Sequence, residues 1–323
     1  MTKIGVVGAG AFGTGLAAAL SIAGRPVVLW GRDGAQVEAM ATDRINARYL
    51  PDAPLPDALM PTTDFHKLRG CDAVLLVVPA QRLRGFLKEH DVVGLGCPLV
   101  LCAKGVEQGT GKLQSEVLRD LLPDAPHAVI TGPGFAAEIA VGKPTALTLA
   151  CADEALGAGL QELLSTRTLR LYRSDDVIGC QLGGALKNVY AIACGIVGGA
   201  ELGESARAAL MTRSFAEMSR LAEAMGAEPE TLVGLSGFGD LVLTCTSRQS
   251  RNFAYGFGLG RGEGFATTKT VEGIATAKAT VALAREHHLD LPVARTVAAV
   301  LEEKMTIEEA LNYLMSRPLK KES

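Results

Sequence analysis

The sequence predicts an α/β protein: an N-terminal doubly wound, mostly parallel sheet over residues 1-178 and an all-helical C-terminal domain over residues 179-323. Three observations predict it. Short β-branched apolar runs alternate with helical patterns through the first half. The first of these runs leads at once into a glycine-rich turn. After Ser174-Asp175-Asp176 the strand pattern stops, and everything beyond reads as helices.

Length and composition bound the answer. With 323 residues the chain is long enough for two domains and a sizeable core. At 48% hydrophobic and 21% charged residues it has a globular balance. A formal net charge of -3 argues against a general nucleic-acid binder, yet leaves room for a local basic pocket that takes an anionic small molecule. The seven cysteines form no C-x-x-C pair, and we read them as reduced core thiols in a reducing compartment. No zinc site is expected without paired ligand spacing. The five histidines fall in no metal or triad pattern. The N-terminus lacks a signal-peptide layout, and the longest apolar candidate, Val189 to Ala200, is too short for a membrane span. A cytoplasmic protein is expected.

Lys3 to Val7 is the first strand, followed by Gly8-Ala9-Gly10-Ala11-Phe12-Gly13 and a helical pattern from Thr14 to Ala23. This G-x-G-x-x-G, between a strand and a helix, marks a Rossmann-like sheet. Gly8 permits the tight turn, Gly10 lets the backbone approach a pyrophosphate, and Gly13 lets helix and strand pack closely. The helix N-terminus supplies amide donors for phosphates. Alone the motif is weak, and a structural glycine turn is its competitor.

The second strand, Pro26 to Trp30, ends in Gly31-Arg32-Asp33. An acidic residue here would bind the ribose of NAD, whereas Arg32 would pair with the 2′-phosphate of NADP. We read the order as favouring NADPH, with Asp33 on the ribose and a solvated Arg32 as the other reading. Asp43 to Pro61, with Asn46, Pro51, Pro54, Pro56 and Pro61, reads as an irregular excursion. Buried strands resume at Cys71 to Val78 and Pro98 to Ala103. Lys104 follows the second of these, at the carboxyl edge where ligands bind in such sheets; a rim lysine facing water fits the spacing equally well. His127 to Ile130 leads into a second glycine-rich turn that contains Gly132 and Gly134. Pro144 to Ala150 and Thr168 to Tyr172 close the sheet around a helix from Asp153 to Ser165.

The next helix is to be capped by Ser174 or Asp175. It carries Gly183, Gly184, Lys187, Asn188 and Ala191 on one side. A Gly-Gly pair in a helix suggests close approach by something else. A lysine among apolar residues either snorkels to water or meets a partner. Glu204 to Met225 is amphipathic, with a core-facing methionine stripe. Asp240, between flexible glycines and an apolar run, is either a helix cap or the carboxylate that holds the Lys187 ammonium. The stretch from Ser247 to Asn252 offers hydroxyl, guanidinium and amide together, a phosphate grip or a solvated turn. Thr270-Val271-Glu272 opens a helix to about His287, and Thr306-x-x-Glu309 is a capping box for the last one. The tail from Lys320 is expected to fray.

Together these pieces resemble the bacterial NAD(P)-dependent sn-glycerol-3-phosphate dehydrogenase family, from Gly8 to about Leu314. The specific parts are Gly183-Gly184-Ala185-Leu186-Lys187-Asn188-Val189, the run from Gly237 to Thr246, Ser250-Arg251-Asn252 and Val271-Glu272-Gly273. The resemblance implies Lys187 as the catalytic residue. It implies Lys104, Gly132, Gly134, Asp240, Ser250, Arg251 and Asn252 against the phosphorylated small-molecule substrate, dihydroxyacetone phosphate or glycerol 3-phosphate. It implies Ala11, Phe12, Arg32, Lys104, Ala136, Arg251, Thr270 and Glu272 against NADP or NAD, no resident metal, a homodimer, and a place in glycerophospholipid synthesis. Gly134 departs from the family's usual Ser or Thr, Phe12 from Trp or Tyr, and Thr270 from a frequent Val.

Two readings compete. A hydroxy-acid or 3-hydroxyacyl reductase would share the architecture, but the 3-hydroxyacyl type needs a His–Glu pair, and no histidine falls near the predicted site. A nucleotide-sensing protein without turnover has no use for a proton donor such as Lys187.

Overall fold

The computed structural model describes residues 2–264 and 270–318. The strands are β1 (Ile4–Val7), β2 (Val27–Trp30), β3 (Ile45–Asn46), β4 (Leu50–Pro54), β5 (Leu59–Thr62), β6 (Ala73–Leu76), β7 (Leu99–Leu101), β8 (His127–Thr131), β9 (Thr145–Ala150) and β10 (Leu169–Ser174). Eight of them form one sheet in the order β10-β9-β8-β7-β6-β1-β2-β5. Its pairs are parallel except β8 with β9. The helices of this half are α1 (Ala11–Ile22), α2 (Gly34–Asp43), α3 (Leu83–Glu89), α4 (Gln114–Leu121), α5 (Ala136–Ala140) and α6 (Glu154–Leu164). Separate apolar clusters on the two sides of the sheet pack it against them.

Strand order reverses at β1, which has β2 on one side and β6 on the other. A crevice therefore opens beyond the carboxyl ends of β1 and β6, where the glycine loop lies. Gly8 has φ +114°, and a Cβ there would stand 2.4 Å from the Val77 carbonyl oxygen. A Cβ on Gly13 would stand 2.0 Å from the Gly8 carbonyl oxygen. Only glycine fits at either place.

The excursion after Asp43 is more ordered than its prolines suggest. β3 and β4 form an antiparallel hairpin, and β5 adds to the main sheet beside β2. Pro61 lies within β5, which is tolerated because that strand is the sheet's edge. Short strands with proline carry too little periodicity to be read from sequence.

The second half holds α7 (Val177–Gly199), α8 (Glu204–Ala224), α9 (Pro229–Val233), α10 (Asp240–Thr246), α11 (Arg251–Gly260), α12 (Glu272–Glu286), α13 (Pro292–Leu301) and α14 (Ile307–Met315). The cap of α7 is Asp176, not Ser174 or Asp175. One carboxylate oxygen accepts the Gly179 amide at 2.7 Å and the other accepts the Glu228 amide at 2.9 Å. One side chain thus serves the starts of α7 and α9, a saving that only tertiary structure reveals. The tail from Lys320 lies outside the described residues. The capping box of Thr306 and Glu309 forms at the start of α14.

α7 is the axis of this half, with α8, α10, α11, α12 and α13 packed around it. By length and composition it would cross a membrane, but 83% of its apolar window is buried inside the fold. Its contact with α11 is backbone on backbone. Cβ atoms on Gly195 and Gly199 would stand 2.2 Å and 2.1 Å from the carbonyl oxygens of Phe253 and Phe257. Reciprocally, Cβ atoms on Gly256 and Gly260 would stand 2.1 Å and 2.3 Å from those of Ile192 and Ile196. The four glycines set the distance between the two helices, and with it the distance between Lys187 and Arg251.

Candidate active site

The glycine pair of α7 is approached by protein. A Cβ on Gly183 would stand 2.5 Å from the Ser236 carbonyl oxygen, and one on Gly184 would stand 2.3 Å from Thr131 Oγ1. This close docking brings the end of β8 and the turn Leu235–Gly239 against α7, one helical turn before Lys187. The lysine does not snorkel. It is only 7% exposed. Its Nζ donates to Asp240 Oδ1 at 2.7 Å and to Thr244 Oγ1 at 2.6 Å. Asp240 and Thr244 are one turn apart on α10, so both face the same point. Asp240 therefore holds the ammonium, which settles the choice between cap and partner. Thr244 has no mark in the sequence beyond its four-residue spacing from Asp240.

The other oxygen of Asp240 accepts from Lys104 Nζ at 2.7 Å. Lys104 also donates to the Gly132 carbonyl oxygen at 2.7 Å. A single buried carboxylate thus bridges two ammonium groups, one from the sheet edge and one from α7. Burial pushes the Lys187 pKa down to about 8; the Asp240 carboxylate opposes that shift and Lys104 adds to it. Each ammonium has three N–H donors, and these bonds use two of them.

One side-chain amide contact joins the two halves beside this pair, and two more tie the helices together. Asn188 Nδ2 donates to the Lys104 carbonyl oxygen at 3.2 Å. Asn252 Nδ2 donates to Asn188 Oδ1 at 2.8 Å, and the Gly273 amide donates to Asn252 Oδ1 at 2.9 Å. Asn252 therefore fastens α11 to α7 and α12, with one amide hydrogen remaining of its two. Ser250 is buried and caps α11, accepting from the Phe253 amide at 3.2 Å while keeping its own O–H to donate. Arg251, the first residue of α11, is exposed. The hydroxyl, guanidinium and amide of this stretch thus differ in setting: an exposed guanidinium stands beside two buried side chains.

At the start of α12, Thr270 is exposed and Glu272 is partly buried. The Glu272 carboxyl is pushed up by burial, opposed by Arg251, by a hydrogen bond from the Ala80 amide, and by Lys104 and Lys187. Glu272 thus stands near Ala80, in the loop after β6. Gly134 lies in the turn before α5; a Cβ there would stand 3.0 Å from Ile139 Cδ1 and 3.2 Å from Thr145 Cγ2. Ala136 follows at the start of α5 and lies over Gly15 of α1, whose Cβ would stand 2.8 Å from the Ala136 carbonyl oxygen.

The glycine loop fits a dinucleotide. Gly8 and Gly13 are closed by backbone, but a Cβ on Gly10 would meet nothing within 4 Å. The loop is thus packed on its inner side and open on its outer side, at the N-terminus of α1. Ala11 and Phe12 line the first turn and are partly exposed. Lys104 Nζ stands 5.7 Å from the Phe12 ring centroid, which links the loop to the lysine pair. Arg32 is exposed at the end of β2. Asp33 accepts from the Gln36 amide at 3.2 Å as cap of α2, and its other oxygen is 3.6 Å from Arg48.

The chain matches two family models: NAD-dependent glycerol-3-phosphate dehydrogenase N-terminus over residues 3–157 and the corresponding C-terminus over residues 176–312. It is 54% identical over 320 residues to a protein of Ruegeria sp. (strain TM1040) named glycerol-3-phosphate dehydrogenase [NAD(P)+], covering 99% of this chain and 100% of that one. A crystal structure of glycerol-3-phosphate dehydrogenase from Coxiella burnetii superposes with a TM-score of 0.92 at 37% identity, over 98% of this chain and 99% of that one. A ketopantoate reductase from Ralstonia eutropha, at 17% identity and TM-score 0.62 over 94% of this chain and 98% of that one, shares the fold. With both halves matched in order and the lysine pair assembled between them, the chain belongs to the NAD-dependent glycerol-3-phosphate dehydrogenase family.

Proposed function

We propose that the protein interconverts dihydroxyacetone phosphate and sn-glycerol 3-phosphate with NAD(P)H, feeding glycerophospholipid synthesis. The observation that carries this reading is Lys187, a buried amine with a pKa near 8, held 2.7 Å from Asp240 at the seam between sheet and helices. When bound, the nicotinamide supplies hydride to the carbonyl carbon, or takes it back in reverse. Lys187 as ammonium donates a proton to the carbonyl oxygen as negative charge grows there; as amine it takes the hydroxyl proton in the reverse direction. Lys104 adds a second positive group toward the same oxygen. Asp240 keeps both ammonium groups in place, while Asn188 and Asn252 hold their elements together. Arg251, with Ser250 and Asn252, takes the phosphate, and that remote binding orients the reacting carbon.

NADPH is the favoured cofactor. Asp33 is engaged by a helix amide and by Arg48, which leaves the exposed Arg32 to meet a 2′-phosphate. Gly8, Gly10, Ala11, Phe12, Gly13, Ala136, Thr270 and Glu272 complete the cofactor's surroundings. A division at residue 178 suits the start of α7, and the seven free cysteines suit a cytoplasmic protein. A homodimer is the assembly we propose, to be checked as a solution mass of twice 33.7 kDa.

The test compares dihydroxyacetone phosphate with dihydroxyacetone as substrates. A kcat/KM ratio of at least ~100 in favour of the phosphate, and its collapse in Arg251→Ala, is the expected result. Equal rates on both would remove the phosphate grip.

A further inference from the structure

The open glycine loop has a support that lies outside the loop and the helix it opens. The Ala9 carbonyl oxygen, between Gly8 and Gly10, accepts two side-chain N–H bonds, from Gln36 Nε2 at 2.7 Å and from Asn46 Nδ2 at 3.0 Å. Gln36 Nε2 also lies 3.2 Å from Asn46 Oδ1, and Asn46 Nδ2 donates to Thr14 Oγ1 at 2.8 Å. Asn46 is only 1% exposed. It comes from the β3–β4 hairpin, which is anchored by the buried Leu50, Ala53 and Leu55. Gln36 comes from the first turn of α2. The proline-rich excursion therefore delivers a buried amide onto one carbonyl of the cofactor loop.

We propose that Asn46, with Gln36, is a positioning residue for dinucleotide binding. The peptide unit joining Ala9 to Gly10 is planar and trans, so its C=O and N–H point in opposite directions. Two bonds that hold the carbonyl inward fix the Gly10 N–H outward. A Cβ on the same Gly10 would meet nothing within 4 Å, so the backbone there is open to a ligand. The donor offered to a pyrophosphate is thus set before the ligand arrives, and the cost of ordering a glycine turn is met by the fold. Thr14 takes the second hydrogen of Asn46 and keeps that amide from rotating.

This inference rests on the glycine loop as the dinucleotide site. The experiment titrates NADPH and NADH into the full chain by fluorescence and measures steady-state kinetics on the same samples. Asn46→Leu removes both N–H bonds at similar volume. It is expected to raise the Kd of both cofactors about tenfold or more, the scale of two lost hydrogen bonds. The KM for dihydroxyacetone phosphate and the kcat at saturating cofactor should stay within about twofold to threefold. Gln36→Leu removes one bond to the same carbonyl and should raise the cofactor Kd about threefold. Should Asn46→Leu fail to fold, Gln36→Leu decides: a raised Kd with unchanged kcat supports the proposal, and an unchanged Kd overturns it. A folded Asn46→Leu with the native Kd overturns it too, as does a parallel loss in substrate KM and kcat. If the unaltered chain binds neither cofactor, the failure lies with the glycine loop as the site.

Discussion

Lys187 and Asp240 meet at 2.7 Å across the junction of α7 and α10, and the far oxygen of the same carboxylate holds Lys104 at 2.7 Å. Asp240 lies between the two positive groups, and it raises the pKa of Lys187 against the burial that lowers it. Asp240→Asn removes that opposition. The Lys187 pKa then falls below about 8. Because the ammonium form is the acid, ketone reduction by the native protein should decline as pH rises through about 8. Glycerol 3-phosphate oxidation needs the neutral amine and should decline as pH falls through the same region. In Asp240→Asn both limbs move to lower pH, and kcat drops by ~100-fold as the two ammonium groups lose their common anchor. Rate profiles from pH ~6 to ~10 check both statements.

Arg32 is exposed beside an Asp33 already bound to the α2 amide and to Arg48. Arg32→Ala should raise the KM for NADPH ~10- to 100-fold, the scale of a lost charge-assisted contact, and leave the KM for NADH nearly unchanged. Equal effects on both cofactors would return Asp33 to the ribose role.

Gly256 is pressed on the Ile192 carbonyl, where a Cβ would stand 2.1 Å away. Gly256→Ala must push α11 off α7, at a cost of about 1–3 kcal/mol. Thermal unfolding should shift down by a few degrees. Because Arg251 rides on α11 and Lys187 on α7, substrate KM should rise as well, with cofactor KM close to native.

Seven of the sheet's eight strands were legible because they are short apolar runs, and the glycine turn fixed where they begin; β5, with its Pro61, was not. Lys187 and Asp240 were legible as charges placed among apolar or small residues. What escaped the sequence depends on contacts between distant segments. Thr244 is an ordinary helix threonine until Lys187 arrives at 2.6 Å. Asn46 looks like a turn residue among prolines until its amide reaches Ala9. Glu217, inside an amphipathic helix, has its carboxylate on the amides of Val293 and Ala294 at 2.7 Å and 3.0 Å, capping α13 from 76 or 77 residues away in the chain. Asp176 outranked its neighbours as the α7 cap because it also reaches Glu228. Periodicity reports faces and spans; it carries no record of which faces meet.

The most direct measurement is single-turnover reduction of dihydroxyacetone phosphate by Lys187→Ala with NADPH prebound. The expected result is a loss of ~1,000-fold or more in rate with cofactor affinity within about twofold of native. A variant that still turns over at near-native rate would contradict the assignment of Lys187 as the proton donor.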